Sequence, residues 1–380
     1  MPETAPARRR DLAPLRRLPR SVALNYLRQA RERHGGRTLP AAAASYARHR
    51  LGPRHAFPDY ARTSDDQGIY ALRGDDDEVR VAIAGDWASG TDEAAAVAAR
   101  IAAARPHFTL HLGDIYYVGA ESEVRATFLG EPSGGHAPTL WPLGRVGSFA
   151  LNGNHEMYAR GRAYFDVLLP RLGLAGGPPQ RASFFCLESP HWRIIALDTA
   201  YNSVKWPLLE ELPFWPFAPA NDLTAAQLRW LAEVVRPGED RRGLVILTHH
   251  APYACTGGCA KFARQVAGHI RRPVLWFFGH EHRLAVYDRH DCGAGLQVWG
   301  RNIGHAGMPV ELGPPAEPPA RLLFTDARRY ANPEGLEVGY NGFASLAFAG
   351  AELAIDYRDL EGASVHRERW RAADGALEPL

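Results

Sequence analysis

The chain has 380 residues, 46% apolar and 23% charged, enough to bury a sizeable core without cross-links, as one large α/β domain with decorations or two modest ones. Its 44 basic and 42 acidic side chains nearly cancel, and no long basic stripe accompanies the motifs below, which argues against nucleic acid as a partner. Nearly all the positive charge is arginine, with Lys205 and Lys261 the only lysines. No apolar run has the length of a bilayer span or a signal-peptide core, so the expected location is cytoplasmic.

Taken in chain order, residues 1–75 read as a helical N-terminal extension with a partly disordered tip, its helical stretches at 21–34 and 41–50. The acidic cluster Asp75–Glu78 reads as a solvated turn leading into the main domain, residues 76–380. Strands are then expected at 79–84, 108–112 and 149–151, with an alanine-rich helix at 93–104. A hairpin follows at 183–187 and 193–197, then an amphipathic helix at 225–235 and strands at 244–247 and 274–278. Residues 205–219 carry four prolines among Trp and Phe, which excludes a regular helix or a central strand. That segment is either a loop packed by its own aromatics or a rim gripping an apolar substrate group. Residues 313–319 are a proline-rich loop, and a strand meander at 343–348, 353–357 and 364–370 closes the sheet. The alternation of strands and helices implies an α/β fold with sheets covered by helices.

Five of the apolar runs stop at residues that bind metal well. VAIAGD ends at Asp86, FTLHLGD at Asp114, and FALNGNHE reaches Asn154; LVILTHH ends at His249 and His250, and VLWFFGHEH at His280 and His282. In an open α/β sheet, side chains at the carboxyl ends of strands share one rim, where ligands bind. Carboxylates, an amide oxygen and imidazoles suit a two-metal centre for Zn, Fe or Mn rather than a thiolate site. Of the four cysteines, Cys255 and Cys259 bracket a glycine loop just after the double histidine. They read as free thiols, with a local disulfide or a soft metal site as alternatives.

These blocks (GDWASG, GDIYY, GNHE, ILTHH and GHEH) resemble those of the calcineurin-like metallophosphoesterase superfamily over roughly residues 79–282. The resemblance implies a four-layer α/β/β/α sandwich. It also implies a dinuclear hydrolase of phosphate monoesters or diesters, with a metal-bound hydroxide as nucleophile and a small phosphorylated compound as substrate. Two cations serve such a reaction by making hydroxide available near neutral pH and by neutralising phosphoryl oxygens. By resemblance Asp114 bridges the metals, Asp86 and His282 hold the first, and Asn154, His280 and one of His249 or His250 hold the second. Reading apolar-x-x-His from Ile246 selects His249, whereas His-x-Pro selects His250. His155 matches the residue that contacts the phosphate and protonates the leaving oxygen, a role suited to an imidazole.

One departure narrows the resemblance. Many members carry a histidine two residues after the first aspartate, where this chain has Ala88. The subset resembling purple acid phosphatases uses instead a tyrosine three residues after the second aspartate, here Tyr117. That match implies Fe(III) paired with Zn, Mn or Fe(II), with Tyr116 or water as the alternative donor. Glu156 and Glu281 are candidates for orienting ligand rings. Arg301 and His305, in an expected glycine-flexible loop, are candidates for touching substrate, and His136 for facing the cleft. His107 and His111 read as structural. Two other readings stand beside the hydrolase: a non-catalytic scaffold on the same fold, and a nuclease.

Overall fold

A computed structural model describes residues 47–50, 52–60, 67–74, 77–134, 138–204, 221–254, 258–312, 320–332, 335 and 337–380. The expected helix at 21–34, most of the one at 41–50, the aromatic segment 205–219, the loop 313–319, His136 and Cys255 lie outside these residues.

Two eight-stranded sheets face each other. One runs, in spatial order, Ile69–Ala71, Phe185–Glu188, Trp192–Ala196, Gly243–Leu247, Pro273–Phe278, Gln297–Ile303, Leu284–Asp291 and Leu322–Thr325. The other runs Ala376–Pro379, Ser364–Ala373, Glu352–Asp359, Gly342–Ala349, Glu78–Ala84, Phe108–His111, Gly147–Ala150 and Gly173–Leu174. At the centre of each sheet the strands are parallel, and Phe108–His111, Gly147–Ala150 and Gly243–Leu247 are buried along their whole length, because both of their faces are covered.

The period-two alternation of side chains sorts the core into layers. Val81, Ile83, Leu110 and Phe149 point inward against Ile194, Val245, Leu275 and Phe277 of the opposite sheet. Ala82 and Ala84 point outward, to Val97 and Ile101 of the helix Asp92–Ala104. On the far side Ile195, Ile246 and Trp276 meet Leu231, Phe262 and Val266. The result is the expected α/β/β/α sandwich.

Helix Asp92–Ala104 starts where Thr91 caps it, its hydroxyl accepting from the Ala94 N–H at 3.1 Å. The helix expected at 225–235 is α-helical over Ala225–Trp230 and widens to a π turn over Leu231–Val235. It stops at Arg236, which precedes Pro237 and takes a left-handed φ of 46°.

Three features differ from the sequence reading. Ile69–Ala71, ahead of the expected boundary at residue 76, pairs in parallel with Phe185–Glu188. Residues 297–303, which include Arg301 and Asn302 of the expected flexible loop, form a strand paired with Leu284–Asp291. The charged, alternately exposed end of that partner strand hid the hairpin from a search for apolar runs. Finally, Cys259 is not a free thiol: it is bonded to Cys292, with 5.5 Å between their Cα atoms. Sequence distance concealed this pairing, since the two cysteines are 33 residues apart and meet only when the sheet forms.

Candidate metal centre

Asp86, Asp114 and Asn154 follow parallel strands of one sheet, whereas His249, His250, His280 and His282 follow parallel strands of the other. The rim of the sandwich therefore assembles one group of donors from both sheets. Asp86, Asp114 and His280 each leave the strand with a left-handed φ, of 59°, 73° and 68°. Each such turn costs about 1–3 kcal/mol in a non-glycine residue and persists only where the surroundings enforce it. Neighbouring glycines make room for these turns: a Cβ on Gly153 would lie 2.1 Å from Asp114 Oδ1, and one on Gly279 would lie 2.5 Å from Asp86 Oδ2.

The donors fall into two groups around Asp114. Its Oδ2 lies 3.2 Å from the hydroxyl of Tyr116, which also reaches Asp86 Oδ1 at 2.9 Å and His282 Nε2 at 3.1 Å. Its Oδ1 faces His249 Nε2 at 3.4 Å, and that nitrogen lies 3.0 Å from Asn154 Oδ1. His280 adjoins this second group, its ring centroid 5.2 Å from that of His249 and 4.6 Å from that of His250. One ring nitrogen from each of the three lies within 4.8 Å of the other two. Both histidines of the pair thus enter the cluster.

The phenol that faces the carboxylates is that of Tyr116 rather than Tyr117. Tyr117 contributes its backbone to the site: its N–H donates to Glu123 Oε1 at 2.7 Å, and its carbonyl accepts from His155 Nδ1 at 2.7 Å. Spacing within a motif locates a tyrosine pair but not which ring turns inward.

Partners outside the cluster hold the donors in place. His249 Nδ1 donates to the Leu112 carbonyl at 2.9 Å, which leaves Nε2 free for the centre. His250 Nδ1 lies 2.9 Å from Thr199 Oγ1. Asp86 Oδ2 accepts from the His280 N–H at 2.8 Å, and Asp114 Oδ1 from the His155 N–H at 3.1 Å. Glu156 does not orient a ligand ring; its carboxyl accepts from the backbone N–H groups of Asp114 and Gly153, both at 3.2 Å. Glu281 accepts from Asn302 Nδ2 at 3.4 Å.

Sequence reasoning missed Glu123, Thr199 and Leu112. Only Glu123 carried a signal, a glutamate three residues into a helical turn that reaches back to unsatisfied N–H groups. Its carboxylate accepts from Tyr117, Val118 and Ala120 at 2.7–3.0 Å and so shapes the loop after Asp114.

The charges suit cation binding. Burial pushes the Asp114 carboxyl up, but His249, His155 and His280 beside it outweigh burial and hold it below its ordinary range. Burial, with His249 alongside, pushes His280 down to about 4, and burial next to His280 and His249 takes His250 well below its usual value. Near neutral pH the ionised Asp114 carboxylate therefore stands beside the neutral imidazoles of His250 and His280, the forms that ligate metals. His282 is raised: burial opposes this, but hydrogen bonding and attraction to Asp86 prevail. Burial with the Asp114 charge nearby lifts the Glu156 carboxyl well above its usual range.

Of the remaining candidates, Arg301, His305, His107 and His111 are buried. Arg301 is buried and crosses to the other sheet, where Nε and Nη2 donate to Glu368 at 2.9 and 2.5 Å, so it is not a surface residue awaiting substrate. His305 is also buried. His107 Nδ1 accepts from the Arg80 N–H at 2.9 Å, and His111 packs edge-on against Trp87 and Trp141. Cys186, the free thiol among the described residues, is buried in the sheet, and Cys259 and Cys292 are tied to each other, so the donors of this centre are all oxygen and nitrogen.

Comparison with known proteins accounts for this arrangement. The family model for calcineurin-like phosphoesterases matches residues 79–284. The chain belongs to the calcineurin-like phosphoesterase family. No curated protein matches it. Among solved structures it is similar to the purple acid phosphatase PPD1 from yellow lupin seeds, at 14% identity and a TM-score of 0.45, over 79% of this chain and 54% of that one. The chain thus spans about half the length of the lupin protein. It is similar as well to GAP50, described as the anchor in the inner membrane complex of Plasmodium, at 14% identity and a TM-score of 0.47, over 78% and 89% of the two chains. A third likeness is to PhoD, at 12% identity and a TM-score of 0.42, over 80% and 71%. No helix among the described residues is long and apolar enough to cross a membrane.

Proposed function

We propose that this chain is a dinuclear metal-dependent hydrolase of phosphate esters that acts on a small phosphorylated substrate. The observation that carries the reading is Asp114, whose two carboxylate oxygens face two different groups of donors. Asp86, Tyr116 and His282 would hold the first metal with Asp114; Asn154, His249 and His280 would hold the second, with His250 beside them. Two carboxylates, a phenol, an amide oxygen and imidazoles fit hard and borderline cations, and the phenol suits a ferric ion paired with Zn, Mn or Fe(II). When bound, such a pair supplies a nucleophilic water near neutral pH and neutralises phosphoryl charge.

The chain's own residues supply orientation and a proton. His155 Nδ1 carries a hydrogen, since it donates to the Tyr117 carbonyl, so Nε2 is the atom that faces the site, 3.8 Å from Asp114 Oδ2. In its protonated form Nε2 would stabilise a phosphoryl oxygen and then transfer its proton to the departing alkoxide or phenoxide. This imidazole at the mouth of the donor group favours an enzyme over a scaffold.

The test is metal analysis of the purified protein together with hydrolysis of an aryl phosphate and the matching diester. Two equivalents of metal with turnover of either ester are expected, and their ratio assigns monoester or diester preference. A protein that binds fewer than two metals and hydrolyses neither, after Mn, Zn and Fe are supplied, would overturn the reading.

A further inference from the structure

A second group of metal-binding atoms lies apart from the centre just described. Cys259 shortly precedes the helix Lys261–Ala267, and Cys292 directly follows the strand Leu284–Asp291, which starts just after His282. His290 sits on that strand, and one of its ring nitrogens lies within 4.8 Å of both sulfur atoms. The cysteines are 6% and 8% exposed, whereas His290 is half-buried.

Both sulfur-bearing backbones are held independently of the bridge. On one side Tyr253 is bridged to Cys259, and the Ala260 N–H donates to the Pro252 carbonyl at 2.7 Å. On the other side, the Cys292 N–H donates to the Leu296 carbonyl at 2.8 Å and the Gly293 N–H to Asp291 Oδ1 at 2.8 Å. Tyr253 packs edge-on against His290, with centroids 5.8 Å apart. Opening the disulfide therefore leaves the two thiols and the imidazole facing one another instead of releasing the loops.

We propose that Cys259, Cys292 and His290 form a redox-gated site for a soft or borderline metal ion, taken up when the disulfide is reduced and expelled when it re-forms. Two thiolates and an imidazole are a donor set for zinc or cuprous ion, with solvent completing the shell, and differ in chemistry from the oxygen-rich centre. The reductant is a dithiol. It transfers two electrons and two protons to the bridge, the S–S bond breaks to give two thiols, and the dithiol becomes a disulfide; in the reverse direction a small-molecule disulfide takes two electrons from the thiolates and two protons from solvent, breaks to two thiols, and the metal ion leaves as the bridge re-forms. Binding of a divalent ion to the pair then releases the two thiol protons. In a reducing compartment a bridge of this kind is transient, which is the setting in which such a site would fill.

Cobalt(II) reports the site directly, because thiolate ligation adds a near-ultraviolet charge-transfer band that an oxygen and nitrogen centre does not produce. The full-length protein would be reduced, freed of reductant without air, its thiols counted, and titrated with cobalt(II); an oxidised sample is the control. The expected result is a band saturating at one equivalent in reduced protein and absent from oxidised protein. It should be lost in Cys292→Ser, weakened at least tenfold in affinity in His290→Ala, and retained in Cys255→Ser. Hydrolysis by the cobalt-free Cys292→Ser variant monitors folding. The proposal is overturned if fully reduced protein gives no thiolate band, or if the band survives Cys292→Ser or is indifferent to His290→Ala.

Discussion

The hydroxyl of Tyr116 lies 2.9 Å from Asp86 Oδ1, fully buried between the two aspartates that end the first two strands of the parallel core. Without a cation it serves as their hydrogen-bond donor, and burial beside Asp86 and Asp114 raises its phenol well above the ordinary value. In the proposed centre the same oxygen would serve as a donor atom to the first metal. Tyr116→Phe is expected to weaken the first metal by roughly 10–100-fold, while Tyr117→Phe changes it little. Metal content by mass spectrometry and the visible absorption of iron-loaded protein check this. A band that vanishes in Tyr117→Phe but not in Tyr116→Phe would return the ligand role to Tyr117.

The paired histidines separate by their contacts. His249 Nε2 meets both Asn154 and Asp114, whereas His250 is tied to Thr199. His249→Ala should therefore lower the affinity for the second metal by roughly 10–100-fold, with a smaller loss in His250→Ala. Stoichiometry under limiting metal decides the order, and the opposite ranking would make His250 the ligand.

His155 is expected to act on turnover rather than on metal. Replacing it with alanine should lower kcat by about 10²–10⁴-fold, the usual contribution of a general acid, with both metals retained. Loss of a metal in His155→Ala would show that its bond to the Tyr117 carbonyl matters for the loop more than Nε2 matters for the substrate.

Arg301 and Glu368 join the two sheets through a buried ion pair. Arg301→Met should destabilise the fold by about 3–5 kcal/mol, because Glu368 is left charged in the interior. Pairing it with Glu368→Leu should recover most of that loss. Equilibrium denaturation measures both, and an unchanged midpoint in the single variant would deny the pair a structural role.

Burial pushes the Cys186 thiol up to about 12. The protonated thiol is therefore the form present in the folded chain at pH 8, and thiolate forms there only on unfolding. Alkylation at pH 8 should leave Cys186 unmodified in native protein and modify it in denaturant, read by peptide mass. Rapid labelling of native protein would contradict its burial.

Apolar runs capped by GD, GNHE, THH and GHEH were enough to locate the strands of the parallel core and the layered α/β class, and to single out Asp86, Asp114, Asn154, His249, His250, His280 and His282, side chains that the fold brings to one rim. They are legible because each is a local pattern: a buried strand is a short apolar run, and a turn at its carboxyl end needs glycine beside the ligand. Other features depend on contacts between residues distant in the chain, and no local pattern encodes them. Which tyrosine of Tyr116 and Tyr117 turns inward is decided where Asp86, Asp114 and His282 meet. That both His249 and His250 enter the cluster depends on Thr199, just past the neighbouring strand Trp192–Ala196, and on Leu112, just past Phe108–His111 of the opposite sheet. The burial of Arg301 depends on Glu368 in the opposite sheet, and the Cys259–Cys292 bridge on a hairpin that charged residues hid. The chain alone determined which atoms are available to bind a metal, because chemistry resides in residue type. Tertiary structure decided which of them face one another, because two sheets must pack before their rims share a site.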